Sequence, residues 1–365
     1  MNKVYIGHAE VTALVIIMIG AKAVLGYPRM VTEFGLTAGW LIPLFSGFIS
    51  IGFWLMLIKL LERFPGKSLT EITELTFGPP LGLGLNMMVF FYFLLGTGNL
   101  LRLFSDSVIL TILTETPISA IAIFFILTAW VAVYYGIEAI SRSAYISVPF
   151  LVIGVVVVLL VLYPYYDFKQ LLPVMGAGIL PLLKQSFLGV SSFGEVISLA
   201  YLVPYFSFDM AKLKTVGIFS ISFTAAFFAA IVIVYLMVLP FPTSTETWLP
   251  VYQLSRSIFL GHYLQRVEAI FVIFAAFTAF LRISIGLLIT AIILRDTLKL
   301  PYVHPLFPAL CLLIFSLAFT FTDMMQTVRI EALFSMVYGW TIAFALPFLT
   351  WVITLIFRKG ERRIK

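Results

Sequence analysis

The sequence is poor in charged residues. Only 11% of its 365 residues are Asp, Glu, Lys or Arg, 62% are hydrophobic, and the mean hydropathy is +1.10. Soluble domains carry roughly 25% charged residues, and a chain of this size cannot hide so large an apolar surplus in soluble cores. The composition therefore excludes a soluble enzyme or binding module, and it predicts an all-helical protein that crosses the lipid bilayer several times.

Cysteine and histidine are nearly absent. The one cysteine, Cys311, lies in an apolar run, so no intrachain disulfide can form, and no residues have metal-site spacing. His8 and His304 fall near predicted cytoplasmic ends of spans and His262 falls in a predicted outer loop, and we interpret all three as solvated or interfacial. The only basic cluster, residues 358–365, directly follows an apolar run, as a membrane-flanking anchor does. We expect no metal, no cofactor and no nucleic-acid partner.

Long apolar runs take the place of charge. A helix that spans a membrane needs about 20 apolar residues, and windows of that length predict ten spans. They are Glu10–Val31, Trp40–Glu62, Leu83–Leu113, Ile118–Tyr135, Tyr145–Tyr163, Leu182–Phe206, Thr215–Leu239, Val267–Leu294, Pro305–Thr322 and Glu331–Phe357. No soluble domain is visible, so we predict a single transmembrane domain over 1–365, with repeats at about 8–163 and 180–357 and a basic tail at 358–365.

Lysine and arginine predict the orientation, because cytoplasmic loops carry the excess of these residues. With the N-terminus inside, 14 cations are cytoplasmic, 6 are outside and 3 lie within spans. We therefore predict that both termini are cytoplasmic. Two connections are long enough to carry structure: Pro65–Gly82 predicts a short amphipathic cytoplasmic helix, and Pro240–Arg266 predicts an outer loop containing a helix.

Two spans contain glycine together with a charge at membrane depth. Span one reads "IGAKAVLGYP", with Lys22 near its centre, and span six reads "SSFGEV", with Glu195. Each is the first span of one half in a five-plus-five arrangement, so the two halves would be inverted. Matching interrupted helices in inverted repeats indicate a midplane binding site, because backbone that is not helical is tolerated only beside protein or water. The ends of half-helices there attract ions and polar ligands.

Five charged residues are predicted inside the membrane, where each should face the interior and find a partner. Arg102 and Asp106 are four residues apart and can pair on one helix, as a structural salt bridge or a pathway ion pair. Lys22 and Glu195 can pair directly or hold a ligand or water between them. Arg282 can be either a structural counter-ion or part of the site.

The two interrupted segments resemble a known superfamily. "IGAKAVLGYP" is similar to the glycine-rich break of amino acid–polyamine–organocation transporters, and "SSFGEV" is similar to their second break. More narrowly, "HAEVTALVIIMIGAKAVLGYP" and "FGEVISLAYLVPY", with ten spans in about 365 residues, resemble the B subunits of spore nutrient-germinant receptors, in the spore germination permease family.

This resemblance implies the leucine-transporter fold with broken helices one and six, and a site between spans one, three, six and eight. It implies a small amino acid or similar nutrient as ligand, the inner membrane of the endospore as location, and an A-type membrane protein and a C-type lipoprotein as partner subunits. It also implies that Arg282 stands where ion-coupled relatives bind sodium. Lys22 departs from the uncharged first break of general carriers. The implied ligand-binding residues are Gly20, Ala21, Lys22, Ser192, Phe193, Gly194, Glu195, Thr278 and Arg282.

The functional prediction is a receptor subunit that binds a small nutrient at the membrane midplane and triggers germination through its partners. The alternative is an amino acid permease, with Glu195 as the titrating group if it is proton-coupled. A membrane enzyme is disfavoured, because no paired carboxylates, metal cluster or nucleophile–base set is present in the sequence. An inert scaffold would have no use for two charged breaks.

Overall fold

The computed structural model describes residues 6–258, 267–320, 326–328, 330 and 338–357. Over these ranges the chain is helical, and the extended backbone pairing recorded there is a single bridge between Ile6 and Phe206. The predicted basic tail at 358–365, His262 and the first residues of the tenth predicted span lie outside the described residues. The α-helices are α1 His8–Val24, α2 Tyr27–Gly35, α3 Leu41–Glu62, α4 Leu69–Phe77, α5 Pro79–Thr111, α6 Ile118–Tyr135, α7 Ile137–Val161, α8 Ile179–Gly189, α9 Ser198–Leu202, α10 Met210–Val238, α11 Pro250–Arg256, α12 Val267–Leu298, α13 Leu306–Ala318 and α14 Leu346–Ile356.

Seven helical stretches of the described chain are long and apolar enough to cross a membrane. They are α3, α5, α6, α7, α10, residues 272–298 of α12, and the continuous stretch Ile179–Tyr205. The bent pair of α1 and α2 makes an eighth if it counts as one span, and Leu306–Ala318 and Thr341–Ile356 are shorter apolar helices. The multi-pass membrane architecture is confirmed, whereas the count of ten spans stays a prediction.

Helix α7 begins earlier than the sequence predicted. The fifth span was placed from Tyr145, but the helix starts at Ile137, immediately after Gly136, whose φ of +89° turns the chain out of α6. The first two turns carry Glu138 and Arg142, and these charges hid the helix from a hydropathy window. A helix can extend past the hydrocarbon layer, and its polar end then lies outside the apolar run.

The two long connections contain the helices predicted for them. Helix α4 is capped by Ser68, whose side chain accepts a hydrogen bond from the backbone of Glu71. It buries Leu69 and Ile72, while Leu75 is half-exposed. In the second connection, α11 covers Pro250–Arg256 and packs against α10 and α12.

The stretch that carries Glu195 lies at the centre of the bundle. In the most apolar window of Ile179–Tyr205, 89% of the residues are buried, against 22% for α7 at the periphery. Helix α1 packs against α7, α10 and α12, and α12 also packs against α5 and α6. Two charged segments of the sequence are thus brought together inside the protein, as the cost of a charge facing lipid requires.

Candidate functional site

The first interruption lies a few residues beyond its predicted place. Helix α1 continues through Gly20, Ala21 and Lys22 to Val24, and the chain leaves the helical path at Leu25. The axes of His8–Ala23 and Tyr27–Ala38 differ by 61°. The bend falls just before Pro28, in the first turn of α2, where a proline's missing N–H costs nothing. The prediction of a break formed by residues 20–22 was therefore wrong in position.

The second interruption is a change of helix type and not a gap. Residues Val190–Ile197 form a 3₁₀ helix between α8 and α9, with no residue outside a helical element. Such runs rarely exceed four residues and often mark a hinge or a strained stretch. The expectation of unwound backbone at Ser192–Glu195 was wrong, because all eight residues are buried and a continuous helix satisfies most of their backbone groups.

Two glycines, one just before this 3₁₀ segment and one within it, serve close packing. A Cβ added at Gly189 would lie 2.7 Å from the Oγ of Ser46 on α3, and one at Gly194 would lie 3.0 Å from the Cβ of Ala343. Ala343 belongs to a π-helical turn, Thr341–Ala345, that leads into α14. These glycines let neighbouring helices approach the segment, which accounts for their presence without an unwound backbone.

Glu195 joins the two interrupted segments to α12. Lys22 Nζ lies 2.8 Å from Glu195 Oε1 and 2.9 Å from Oε2, and Arg282 Nη2 donates to Oε1 at 2.7 Å. Lys22 Nζ also donates to the backbone carbonyl of Ser192 at 2.9 Å. We call Lys22, Glu195, Arg282 and the Ser192 carbonyl the Glu195 cluster. Of the two alternatives for Lys22 and Glu195, the structure has the direct pair.

The Glu195 cluster is buried and unbalanced in charge. The exposed fractions of the Lys22, Glu195 and Arg282 side chains are 12%, 9% and 8%. Two cations therefore share one carboxylate away from water. Arg282 Nε is buried and has no hydrogen-bond partner among the described residues. Removing one member of a buried ion pair is strongly destabilising, because the remaining charge is uncompensated.

The other predicted ligand-binding residues divide into two groups. Gly20, Ala21 and Thr278 line a cavity of about 10 Å³ between α1, α7, α10 and α12, which is room for about one water molecule. Phe193 is fully buried and packs near Phe228, with ring centroids 6.2 Å apart, while Gly194 packs on Ala343. An amino acid does not fit in a cavity of 10 Å³, so the structure is closed around these residues.

Arg102 and Asp106 form the predicted pair within α5. Arg102 Nε donates to the Asp106 carboxylate at 3.1 and 3.3 Å. The Arg102 guanidinium also lies 5.6 Å from the ring centre of Phe319, just after α13. One turn earlier, Gly98 approaches Leu317 of α13. The pair therefore lies on the side of α5 that faces α13, and a role in a ligand pathway stays a prediction.

A much larger cavity is separate from the charged residues. It measures about 1010 Å³ and lies between α5, α6, α7 and α12. Its lining is apolar and includes exposed side chains such as Phe124, Tyr135 and Ile273. None of the predicted ligand-binding residues lines it. A polar nutrient needs a few convergent polar groups, so we place the candidate site at the Glu195 cluster.

Contacts at both ends of the site were missed by sequence reasoning. At one end, the Arg29 guanidinium of α2 lies 4.2 Å from the ring centre of Trp248. At the other end, Arg295 Nη1 donates to the Tyr205 hydroxyl at 2.8 Å, and Lys299 Nζ donates to Glu74 Oε1 at 2.6 Å. No sequence pattern predicts these pairs, since their members lie far apart along the chain.

The architecture is that of a class of membrane transporters. Mhp1, a nucleobase-cation-symport-1 family transporter in a closed conformation with bromovinylhydantoin bound, is similar to the chain with a TM-score of 0.75 at 14% identity, over 100% of this chain and 80% of that one. MhsT in complex with L-phenylalanine is similar with a TM-score of 0.66 at 15% identity, over 99% of this chain and 100% of that one. At these identities the likeness shows the fold alone, and it agrees with the predicted transporter-type fold.

The family is shown by sequence. Residues 5–329 match the family model described as spore germination protein, and the chain belongs to this family. Spore germination protein YndE of Bacillus subtilis (strain 168) is 28% identical over 180 residues, which cover 48% of this chain and 49% of YndE. Spore germination protein B2 of the same organism is 26% identical over 234 residues, 63% of this chain and 62% of B2. The chain thus spans about half of YndE and somewhat under two thirds of B2, and the predicted family resemblance is confirmed.

Proposed function

We propose that the chain is a membrane subunit that binds a small amino acid or similar nutrient at the Glu195 cluster, and that binding promotes spore germination. The observation that carries the proposal is the cluster itself, in which one carboxylate is held by cations from α1 and α12 at 2.8 and 2.7 Å. Membership in the spore germination protein family supports the role in germination. The bound L-phenylalanine of MhsT, a protein of similar fold, supports an amino acid as the ligand class.

The mechanism begins with exchange at Glu195. The ammonium group of an amino acid takes the place of Lys22 at the carboxylate, since both are charge-assisted donors of similar geometry. Lys22 is held by Glu195 and by the Ser192 carbonyl, so its displacement frees α1 from the 3₁₀ segment. The ligand shifts the conformational equilibrium only if it binds the separated state more tightly than the closed one.

The proposal also covers the number of spans, the orientation of the termini, the location of the protein and its partner subunits. The chain has ten spans in two inverted repeats of five, with α1–α2 corresponding to the stretch from α8 to α9. Both termini are cytoplasmic, and the protein resides in the inner membrane of the endospore. The movement of α1 passes to an A-type membrane protein and a C-type lipoprotein that assemble with it.

Ligand binding to the purified full chain in lipid nanodiscs tests the proposal. We expect one or more members of an amino acid and sugar panel to raise the unfolding temperature and to give a heat of binding by isothermal titration. Glu195→Gln should weaken that binding by at least about tenfold, the loss expected for a hydrogen bond to a charged group. Glu62→Gln, at the exposed cytoplasmic end of α3, is the matched control. Equal affinities for the two variants would remove the site assignment.

A permease is the second candidate, favoured by the similarity to Mhp1 and MhsT. In that case the same site would open alternately to each side of the membrane. Uptake of a radiolabelled ligand into proteoliposomes distinguishes the two functions. Concentrative uptake that Glu195→Gln abolishes supports the permease, whereas binding without uptake supports the receptor.

A further inference from the structure

The charge balance of the Glu195 cluster carries a further inference. Lys22 and Arg282 both bind Glu195, at 2.8 and 2.7 Å, so the cluster has one positive charge in excess. Within the cluster, Arg282 Nε is buried and has no hydrogen-bond partner among the described residues, and only 8% of that side chain is exposed. Both the excess charge and the unsatisfied donor call for a group that is negative and accepts hydrogen bonds.

Two physical costs make such a group favourable. An excess positive charge inside a membrane protein is costly, because the apolar surroundings do not solvate it. A buried donor without an acceptor adds to that cost, because it has lost its hydrogen bond to water and gained none in return. Water can satisfy the donor but leaves the charge in place. A second carboxylate or an inorganic anion removes both costs at once.

We infer that the Glu195 cluster binds a monovalent anionic group beside Arg282, either the carboxylate of the nutrient ligand or a small inorganic anion when the nutrient is absent. Thr278 lies one turn before Arg282 on the same face of α12, and it lines the cavity of about 10 Å³, which Arg282 itself does not line. The inference that the anionic group is the carboxylate of the nutrient rests on the proposed function. The inference that an inorganic anion binds follows from the charge count alone.

The inference sharpens the substrate class. A zwitterion matches the cluster at both ends, with its ammonium on Glu195 and its carboxylate on Arg282. A simple amine lacks the second contact, and an amide of the same amino acid can accept a hydrogen bond from Arg282 but carries no negative charge. Neutral sugars carry neither group. The nutrient should therefore be an amino acid with a free carboxylate.

A series of charge variants tests the anion. Wild type has one excess positive charge, Lys22→Gln has none, Glu195→Gln has two, and the double variant Lys22→Gln/Glu195→Gln has one again. Chloride titrated against gluconate in nanodiscs, read as a shift in unfolding temperature, gives an apparent chloride affinity for each protein. We expect Lys22→Gln to bind chloride at least about tenfold more weakly than wild type, and the double variant to regain affinity.

Lys59→Gln is the matched control, because Lys59 is exposed near the cytoplasmic end of α3, and its chloride response should equal that of wild type. Size-exclusion chromatography checks that each variant is folded, and if Glu195→Gln is not, the comparison of wild type with Lys22→Gln still decides. An identical chloride response in wild type and Lys22→Gln, or no chloride response in wild type, would overturn the inference that the cluster binds an inorganic anion.

A ligand series tests the carboxylate and separates the two proposals. L-alanine, L-alaninamide and ethylamine are titrated into the same protein with and without chloride. We expect L-alanine to bind at least about tenfold more tightly than either analogue and chloride to compete with it. Binding of alanine and its amide with equal affinity, unaffected by chloride, would overturn the inference while leaving the proposed function intact. A chloride response without binding of any amino acid in the panel would overturn the proposed function while leaving the inorganic-anion inference intact.

Discussion

The two interrupted segments have similar composition and fold differently. Each contains glycine and a charge, and each is followed by a proline, yet the first bends by 61° between α1 and α2, while the second continues as a 3₁₀ helix over Val190–Ile197. The neighbours account for the difference. Gly194 is pressed against Ala343, whereas a Cβ added at Gly26, in the bend, would meet only the Trp248 carbonyl oxygen, at 4.0 Å. The 3₁₀ segment is packed tightly against its neighbours, whereas the bend between α1 and α2 is not.

This difference assigns the two segments different parts in a conformational change. The 3₁₀ segment carries Glu195 as a fixed acceptor, because its backbone is packed on α3 and on the π-helical turn before α14. Helix α1 brings Lys22 to that acceptor and is followed by a bend at its C-terminal end. Opening is therefore expected by movement of α1 away from a stationary 3₁₀ segment.

The largest expected effect comes from removing the shared acceptor. Glu195→Gln leaves Lys22 and Arg282 buried without a counter-charge, and breaking a buried ion pair costs roughly 3–5 kcal/mol. The free energy of unfolding, measured by denaturant titration in mixed micelles, should fall by about that amount. Glu62→Gln at the exposed end of α3 should change it by less than about 0.5 kcal/mol. Equal free energies of unfolding in the two variants would mean that the Glu195 cluster does not hold α1, α12 and the 3₁₀ segment together.

The second effect distinguishes the packed segment from the bent one. Gly189→Ala places a Cβ 2.7 Å from Ser46 Oγ, and overpacking of this kind costs about 1–3 kcal/mol. Gly20→Ala is the matched control in α1, where nothing lies within 4 Å. It should be neutral or stabilising by up to about 1 kcal/mol, because alanine is the better helix former. A loss of stability in Gly20→Ala as large as in Gly189→Ala would remove the distinction between the two segments.

A smaller effect is expected where α1 meets the cluster. Lys22→Gln keeps the pair of Arg282 and Glu195 at 2.7 Å and removes one buried charge, so its destabilisation should be well below that of Glu195→Gln. We expect less than about 2 kcal/mol, since a neutral buried pair remains. Hydrogen exchange should then increase in α1 and not in Val190–Ile197. Faster exchange in both segments would show that the 3₁₀ segment is not the fixed partner.

Much of the fold was predictable because it follows from apolar length. Nine of the ten predicted spans coincide with helical stretches that lie largely within the described residues, and the described part of the tenth is helical too. The three charges of the site were also found from sequence, since a charge at membrane depth must face the interior. The i, i+4 pair of Arg102 and Asp106 needed only helix geometry.

The local geometry of the site was not predictable. Glycine in a membrane helix has two uses, a bend or a close approach, and only the neighbours decide between them. Ser46 and Ala343 lie more than 100 residues from the glycines that they contact, so no window of sequence reveals the choice. The partner of Trp248 was hidden in the same way, because Arg29 belongs to a distant part of the chain.

The smallest expected effect lies at the outer end of the bend. Trp248 covers the Arg29 guanidinium of α2 at 4.2 Å, and a cation–π contact of this kind contributes about 0.5–2 kcal/mol. Trp248→Ala should lower the free energy of unfolding by an amount in that range and speed ligand association, because α2 is released on the outer side. Trp130→Ala is a control on the partly exposed face of α6, at 38% exposure, and should leave association unchanged. If Trp248→Ala loses stability without faster ligand association, the contact between Arg29 and Trp248 stabilises the fold but does not limit access of the ligand. The mobile part of the first interrupted segment is then α1 alone.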